Sequence, residues 1–105
     1  MIAMINYICS MRRAAKVDSN QNEIVKALRS VGACVLITSQ LKNAFDILVG
    51  YNKRLYICEI KDGNLAPSAR KLTEGELKCK AMFESVGVNY NVITSVEDAI
   101  ELINK

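Results

Sequence analysis

FDILVGYNKRLYICEIK, residues 45–61, is the stretch of sequence that sets the fold. Two runs rich in apolar and β-branched residues flank the polar segment YNKR at 51–54, and this pattern is typical of two strands joined by a hairpin turn. We therefore predict strands over 45–50 and 55–61, with residues 51–54 in the turn. The two strands form one antiparallel pair.

This hairpin brings two acids together. With a four-residue turn, Gly50 pairs with Leu55, and counting back along both strands places Asp46 opposite Glu59. Directly opposed residues have Cβ atoms roughly 5 Å apart on one face, and two like charges there destabilise the pair unless a cation lies between them. Lys61 shares the face of Glu59, because side chains alternate along a strand. The register thus favours a hard divalent cation, which accepts one or two carboxylates and keeps several waters.

The spacing also allows a plainer interpretation. In it, Asp46 ends a loop, Glu59 and Lys61 form a surface ion pair, and Glu23 is solvated on a helix. Exposed ion pairs of this kind contribute only about 0–1 kcal/mol to stability. Spacing alone leaves both interpretations open.

Periodicity on either side of the hairpin predicts three helices and two further strands. The predicted elements are, in order, a helix over 19–31 ended by Gly32, a strand over 33–38 buried on both faces, the two hairpin strands, a helix after Thr73, a strand over 88–94 and a helix after Ser95. The order α-β-β-β-α-β-α predicts an α/β domain whose mixed sheet is flanked by helices.

The second predicted helix has a clear start signal. Thr73 with Glu76 three residues later is a capping-box pattern, so we interpret Glu76 as a capping residue. Leu77, Ala81 and Phe83 are the apolar residues that we expect to face the core.

Length and composition fit one folded domain, with 105 residues of which 50% are apolar and 24% charged. We assign residues 11–105 to this domain and residues 1–10, which are uncharged and mostly apolar, to an N-terminal extension. No apolar run approaches the roughly 20 residues that a membrane helix needs. We therefore expect no contact with a membrane and a cytoplasmic location.

Histidine is missing from the chain, and the four cysteines are separated by 20 or more residues. This disfavours a structural zinc site, and we expect buried free thiols. Nucleophile systems that depend on imidazole are excluded within one chain. An enzyme with this sequence must work with carboxylates, lysine and metal ions.

Charge is unevenly distributed along the chain. Residues 1–80 contain 13 of the 14 Lys and Arg residues against seven acids, whereas residues 81–105 contain one Lys and four acids. A basic majority of this kind suits a polyanionic partner, although a surplus this small also fits a solvated surface.

The acids and the lysine resemble a known signature. Glu23 on the first predicted helix, then Asp46, then Glu59-Ile60-Lys61 after a short hairpin are similar to the motif of PD-(D/E)XK nucleases. Four segments extend the likeness: RRAAKVDSNQNE at 12–23, FDILVGY at 45–51, EIKDG at 59–63 and PSARKLT at 67–73. Together they make residues 11–104 similar to small phage-type VRR-NUC domains, which are Holliday-junction-resolvase-like. The resemblance implies a restriction-endonuclease-like core.

This resemblance implies hydrolysis of DNA phosphodiester bonds that depends on Mg²⁺ or Mn²⁺. Asp46, Glu59 and the backbone carbonyl of Ile60 would bind the ion. Lys61 would orient or help deprotonate the attacking water and offset charge on the phosphate, while Glu23 would support a second metal or its water. Such chemistry needs no histidine, because a metal lowers the pKa of bound water.

The expected partner is DNA, either duplex or branched. Candidate phosphate contacts, which position DNA without reading its sequence, are Arg12, Arg13, Lys16, Arg70 and Lys71. A homodimer is expected, because a small domain with one site needs a second copy to cut both strands of a symmetric junction. The resemblance places this activity in phage recombination or repair, within a bacterial host or a phage-infected cell.

Two departures separate this chain from the family pattern. Phe45 stands where a proline usually precedes the metal-binding aspartate, and Glu76 with Cys79-Lys80 replaces a glutamine followed by a tryptophan-histidine pair. The first is tolerable because that proline shapes the backbone and donates no ligand, whereas the second weakens any carry-over of roles to the second helix. Two alternatives remain open, and the first is a DNA-binding module on the same fold that has lost catalysis. The second is an interaction protein with no role in nucleic-acid metabolism.

Overall fold

The structure is a computed structural model that describes residues 18–105, so the predicted extension over 1–10 and the basic residues before position 18 lie outside the described residues. Its elements are α1 (Gln21–Ser30), β1 (Cys34–Ile37), β2 (Ile47–Tyr51), β3 (Arg54–Ile60), a 3₁₀ helix (Pro67–Arg70), α2 (Glu74–Glu84), β4 (Tyr90–Ile93) and α3 (Val96–Ile103). The predicted order α-β-β-β-α-β-α is confirmed.

The four strands form one mixed sheet in the order β1-β2-β3-β4. β1, β2 and β3 pair antiparallel as a meander, and β4 lies parallel to β3. A parallel pair needs a crossover connection, and α2 supplies it.

A tight turn sets the register of the central hairpin. Asn52 and Lys53 both have positive φ, 50° and 66°, as the two central residues of a type I′ turn require. The ladder continues around this turn, with Tyr51 opposite Arg54 and Gly50 opposite Leu55. The turn is two residues shorter than predicted, but the predicted register is confirmed.

Each face of the sheet carries its own apolar cluster. α1 and α3 cover one face, where the central residues are fully buried: Ile24, Leu28, Ile47, Val49, Cys58 and Ile60. α2 covers part of the other face, where Ile57, Cys79 and Tyr90 form a smaller cluster. Residues 57 and 58 thus belong to opposite clusters, as alternation along β3 predicts.

Helix α1 follows the predicted pattern. Gln21, Ile24, Val25 and Leu28 form its buried stripe. Gly32 has φ +97°, the left-handed conformation that ends many helices and that glycine adopts without strain.

The prediction that residues 33–38 form a strand buried on both faces is wrong. β1 lies at the edge of the described sheet, and Leu36 and Ile37 are 54% and 44% exposed. Ala33 is buried and Val35 packs against the core, whereas the edge of the described sheet is bordered by Arg29, whose Nη2 donates to the carbonyl oxygen of Val35 at 2.9 Å. Arginine at an open edge limits pairing with other strands.

The predicted apolar face of α2 is also wrong in part. Leu77 is 52% exposed and Ala81 is exposed, whereas Cys79 and Phe83, one turn apart, contact the sheet. The first turn of α2 lies over polar side chains of the sheet. Cys79 and Phe83 therefore determine which side of the helix faces the sheet.

None of the helices in the described part of the chain has the length and apolar character needed to cross a membrane. Cys58 and Cys79 are buried free thiols as expected, but Cys34 on the edge strand is exposed. Cys9 lies outside the described residues.

Candidate active site

Two carboxyl groups meet where the β2–β3 ladder ends. The last paired residues are Ile47 and Cys58, so the next position along each strand brings Asp46 beside Glu59. The backbone fixes Asp46 at both ends, since its N–H donates to the carbonyl oxygen of Cys58 at 3.0 Å and its Oδ2 accepts from the N–H of Ile60 at 2.8 Å. Both side chains line the same cavity. The predicted juxtaposition of the two acids is present.

Glu59 is held through both of its oxygens. Its residue is only 4% exposed. The hydroxyl of Tyr90 donates to Oε1 at 3.3 Å, and Lys61 Nζ lies 3.6 Å from Oε2. Glu59 and Lys61 therefore share one face of the sheet, as the alternation predicts.

Glu76 is a member of the site that the sequence interpretation missed. Its Oε1 accepts from Lys61 Nζ at 2.9 Å and also from the backbone N–H of Thr73 at 2.9 Å. The hydroxyl of Thr73 accepts in turn from the N–H of Glu76, which completes the predicted capping box. Glu76 thus caps α2 and anchors Lys61 with the same oxygen.

Burial and mutual repulsion act strongly on the carboxyl pair. Burial, followed by the charge of Asp46, raises the pKa of Glu59 to about 9. Burial also raises the pKa of Asp46, although the N–H of Ile60 opposes the shift. These two groups disfavour the doubly charged state, as expected for adjacent acids with too little positive charge around them.

The third acid and the lysine behave as an ion pair. Burial by itself would raise the pKa of Glu76, but the hydrogen bonds from Lys61 and from the Thr73 backbone lower it on balance. Burial would lower the pKa of Lys61, and Glu76 and Glu59 outweigh that effect and raise it. Two carboxyl groups, those of Glu59 and Glu76, therefore contact one ammonium group, and Asp46 beside Glu59 gives the site an excess of acid.

A small polar cavity opens beside these groups. Its volume is about 110 Å³, and it is lined by Ser39, Leu41, Asn43, Ala44, Phe45, Asp46, Glu59, Thr73 and Glu76. Water occupies about 30 Å³ per molecule in the liquid, so the cavity has room for a cation with a few waters. Within residues 18–105 no cluster of three or more metal-ligating side chains is present. Two adjacent carboxylates, Asp46 and Glu59, line the cavity, and such a pair fits an ion such as Mg²⁺, which accepts one or two carboxylates and keeps much of its water.

The structure does not bring Glu23 to this cavity. Glu23 is exposed on α1 and lines a separate polar cavity of about 350 Å³, together with Asp62 and Glu97 among others. Gln21 of α1 is 3% exposed, and its Nε2 donates at 3.5 Å to the hydroxyl of Ser39, which lines the cavity of the acids. The apolar stripe of α1 could have indicated that Gln21 faces inward, because Gln21 lies on that stripe and Glu23 lies outside it.

The basic candidates divide into two groups. Arg70 ends the 3₁₀ helix and Lys71 is exposed just after it, two residues before Thr73 at the rim of the cavity. Arg12, Arg13 and Lys16 lie outside the described residues.

Comparison with known proteins gives one informative likeness. No family model and no curated protein sequence matches the chain. A solved structure described as a VRR_NUC domain matches with a TM-score of 0.58 and 22% sequence identity, over 81% of this chain and 95% of that one. This chain has a VRR_NUC-type fold. The identity is low enough that the likeness establishes the fold alone, and the fold is the one that the sequence resemblance implied.

Within this VRR_NUC-type fold, one glycine allows the wall of the cavity to close. A Cβ atom built on Gly75 in α2 would lie 2.0 Å from Oδ1 and 2.5 Å from Cγ of Asn43, which itself has φ +56°. We expect Gly75→Ala to lower the free energy of unfolding by about 1–2 kcal/mol, because Asn43 must move out of its place. Urea denaturation measures this change.

A second substitution tests that cause. Asn43→Gly removes the opposing side chain at a backbone conformation that glycine adopts freely. In that background Gly75→Ala should stabilise the protein by about 0.5–1 kcal/mol, the gain in helix propensity. An equal loss in both backgrounds would show that Asn43 is not the cause.

The double role of Glu76 gives a further prediction. Glu76→Gln keeps an oxygen for the N–H of Thr73 but loses the charge that pairs with Lys61, whereas Glu76→Ala loses both. We expect unfolding free energies lower by less than about 1 kcal/mol for Glu76→Gln and by about 1–2 kcal/mol for Glu76→Ala. Equal losses in urea denaturation would contradict this division and assign the whole effect to the ion pair.

Proposed function

We propose that this chain is a metal-dependent endodeoxyribonuclease that hydrolyses DNA phosphodiester bonds. One observation carries the proposal: Asp46 and Glu59 lie side by side at the ends of two adjacent strands and line one polar cavity, and Lys61 Nζ lies 3.6 Å from Glu59 Oε2. The VRR_NUC-type fold also supports the proposal. The order of Asp46, Glu59 and Lys61 along the chain is the order in the nuclease motif that these residues resemble.

Asp46, Glu59 and the carbonyl of Ile60 are the groups that would hold Mg²⁺ or Mn²⁺. When bound, such an ion supplies an activated water and stabilises negative charge on phosphate oxygens. The N–H of Ile60 holds Asp46 in place through its Oδ2. The ion would also relieve the repulsion between the two carboxylates, which Lys61 alone offsets only in part.

Lys61 has the position for a second task. Its ammonium group lies between Glu59 and Glu76, and its side chain is 13% exposed. In that place it can orient a water or a phosphate oxygen and offset the charge that develops on the phosphate. Glu76 fixes the ammonium group for this task through the 2.9 Å contact.

The wider substrate is proposed on the resemblance and on charge. Arg70 and Lys71, with Arg12, Arg13 and Lys16, would contact phosphates on either side of the cleavage point. We propose branched or junction DNA as the preferred substrate, cut by a homodimer, in phage recombination or repair in the bacterial cytoplasm. A second copy would place two sites across a symmetric junction.

The test is cleavage of labelled duplex, single-stranded and four-way-junction DNA with Mg²⁺, Mn²⁺ or EDTA. We expect cutting by the wild type with either metal, strongest on the junction, and none in EDTA or with Glu59→Ala. Glu23→Ala is the matched control, since it removes a glutamate that the structure places at another cavity. We expect it to retain cleavage within about tenfold of the wild-type rate.

Other outcomes would change the conclusion. Retained DNA binding without cutting by the wild type would indicate a catalytically inactive DNA-binding module. Absence of both would leave an interaction protein with this fold. Loss of cutting in Glu23→Ala would restore the role that the resemblance gave to Glu23.

A further inference from the structure

Tyr90 reaches the acids from the neighbouring strand. It lies opposite Ile57 in the parallel β3–β4 pair, and Ile57 and Glu59 share a face of β3. The ring is buried, with the residue 5% exposed, and packs in the cluster formed with Ile57 and Cys79. Its hydroxyl therefore extends along the sheet from an apolar cluster toward the carboxyl group of Glu59.

The hydroxyl links the two segments that carry the acids. It lies 3.3 Å from Glu59 Oε1 and 3.2 Å from the carbonyl oxygen of Ala44, two residues before Asp46. A phenol has one proton, so it donates to one of these oxygens at a time. Lys61 contacts the other oxygen of Glu59, at 3.6 Å from Oε2. The carboxyl group is thus fixed on both sides.

We propose that Tyr90 is a positioning residue, whose hydroxyl holds Glu59 in the orientation in which it binds a divalent cation together with Asp46. This inference rests on the proposed function. Phenylalanine would fill the same apolar cluster without bringing a polar group into it, so packing gives no reason for the hydroxyl. Partners that orient metal ligands typically contribute 10–100-fold to metal affinity or activity.

The chain contains a matched control in Tyr56. This residue lies on β3 and packs against the cluster on the opposite face of the sheet. Its hydroxyl is buried and has no hydrogen-bond partner within the described residues. Removing the hydroxyl of Tyr56 changes the same atoms as removing that of Tyr90, but at a distance from the acids.

The experiment measures Mn²⁺ binding by electron paramagnetic resonance at pH 8 for the full chain and for three variants. These are Tyr90→Phe, Tyr56→Phe and Glu59→Gln, with folding checked by circular dichroism. We expect Mn²⁺ affinity to fall about 10–100-fold in Tyr90→Phe, to stay unchanged in Tyr56→Phe and to be lost in Glu59→Gln. Cleavage at saturating Mn²⁺ should show a lower kcat in Tyr90→Phe with an unchanged KM for DNA.

A rescue keeps the test decisive if Tyr90→Phe folds poorly. Incorporation of 4-aminophenylalanine at position 90 restores a donor at the same place, and we expect it to recover most of the Mn²⁺ affinity. Wild-type affinity in Tyr90→Phe, or equal losses in Tyr90→Phe and Tyr56→Phe, would overturn the role of Tyr90 while the proposed nuclease stands. Failure of the wild type to bind Mn²⁺, or binding that survives Glu59→Gln, would overturn the proposed metal site itself.

Discussion

Asp46→Asn is expected to lower metal-dependent DNA cleavage by at least about 1,000-fold and to leave the metal-free protein as stable as the wild type or more so. The loss of activity follows because a catalytic metal lowers the activation barrier by several kcal/mol, and the asparagine oxygen is a weaker metal ligand than a carboxylate. Stability is preserved because the asparagine oxygen can still accept from the N–H of Ile60, which lies 2.8 Å from Oδ2 in the wild type. The new amide can also donate to Glu59, so the pair no longer needs the shared proton that repulsion between the two charged carboxylates imposes.

The control is an aspartate with the opposite character. Asp98 accepts from both the N–H and the hydroxyl of Thr94, and these hydrogen bonds lower its pKa. Asp98→Asn should therefore reduce the melting temperature and keep wild-type cleavage. Asp46→Asn should thus combine a low cleavage rate with an unchanged or higher melting temperature. Asp98→Asn should combine the wild-type cleavage rate with a lower melting temperature. A clear drop in melting temperature for metal-free Asp46→Asn would refute the idea that repulsion dominates at this position.

The stability of the metal-free protein is expected to fall by about 1–2 kcal/mol between pH 6 and pH 8. The pKa of Glu59 is raised from 4.5 to about 9 in the folded state, so the folded protein keeps a proton that the unfolded chain has released. This contribution to stability is complete below pH 4.5, decreases as the pH rises and is gone above about pH 9. A fully desolvated group would lose about 1.4 kcal/mol per pH unit, and solvent screening reduces that slope here.

Glu59→Gln should remove this pH dependence, because glutamine does not titrate. Glu101→Gln on the exposed side of α3 should keep it. Mg²⁺ should restore stability at pH 8 more than at pH 6, since metal binding requires deprotonated ligands. Urea denaturation at four pH values, with and without Mg²⁺, measures all of these effects. A slope that persists in Glu59→Gln would mean that another group is responsible.

The hairpin was the part of the molecule that the sequence predicted best. Its register depends on a short turn and on alternation along two strands, both of which are local properties. Asp46 and Glu59 could therefore be placed side by side from spacing alone. The position of Glu23 was harder to predict, because only the resemblance supplied its role. The buried stripe of Ile24, Val25 and Leu28 already indicated that Glu23 points away from the acids.

Other features depended on contacts between distant segments. Tyr90 meets Glu59 only because β4 pairs parallel to β3 in a particular register, and nothing within residues 88–94 specifies that register. The face of α2 was mispredicted because apolar character was taken to mean burial. Leu77 is exposed, whereas the charged residue before it, Glu76, points to the site. Glu76 faces inward there because the ammonium group of Lys61, on the sheet beneath it, pairs with its carboxylate.

One oxygen of Glu76 accepts from both the Thr73 amide and the Lys61 ammonium group, so the end of α2 and the position of Lys61 are coupled. Fraying of the first turn of α2 withdraws the acceptor of the Thr73 amide and the anchor of Lys61 in the same motion. Local unfolding of that turn would therefore release Lys61 from Glu76, and its frequency can be read from hydrogen exchange at the Thr73 and Glu76 amides. Opening of one helical turn would thereby loosen the ammonium group while Glu59 Oε2, at 3.6 Å, still contacts it.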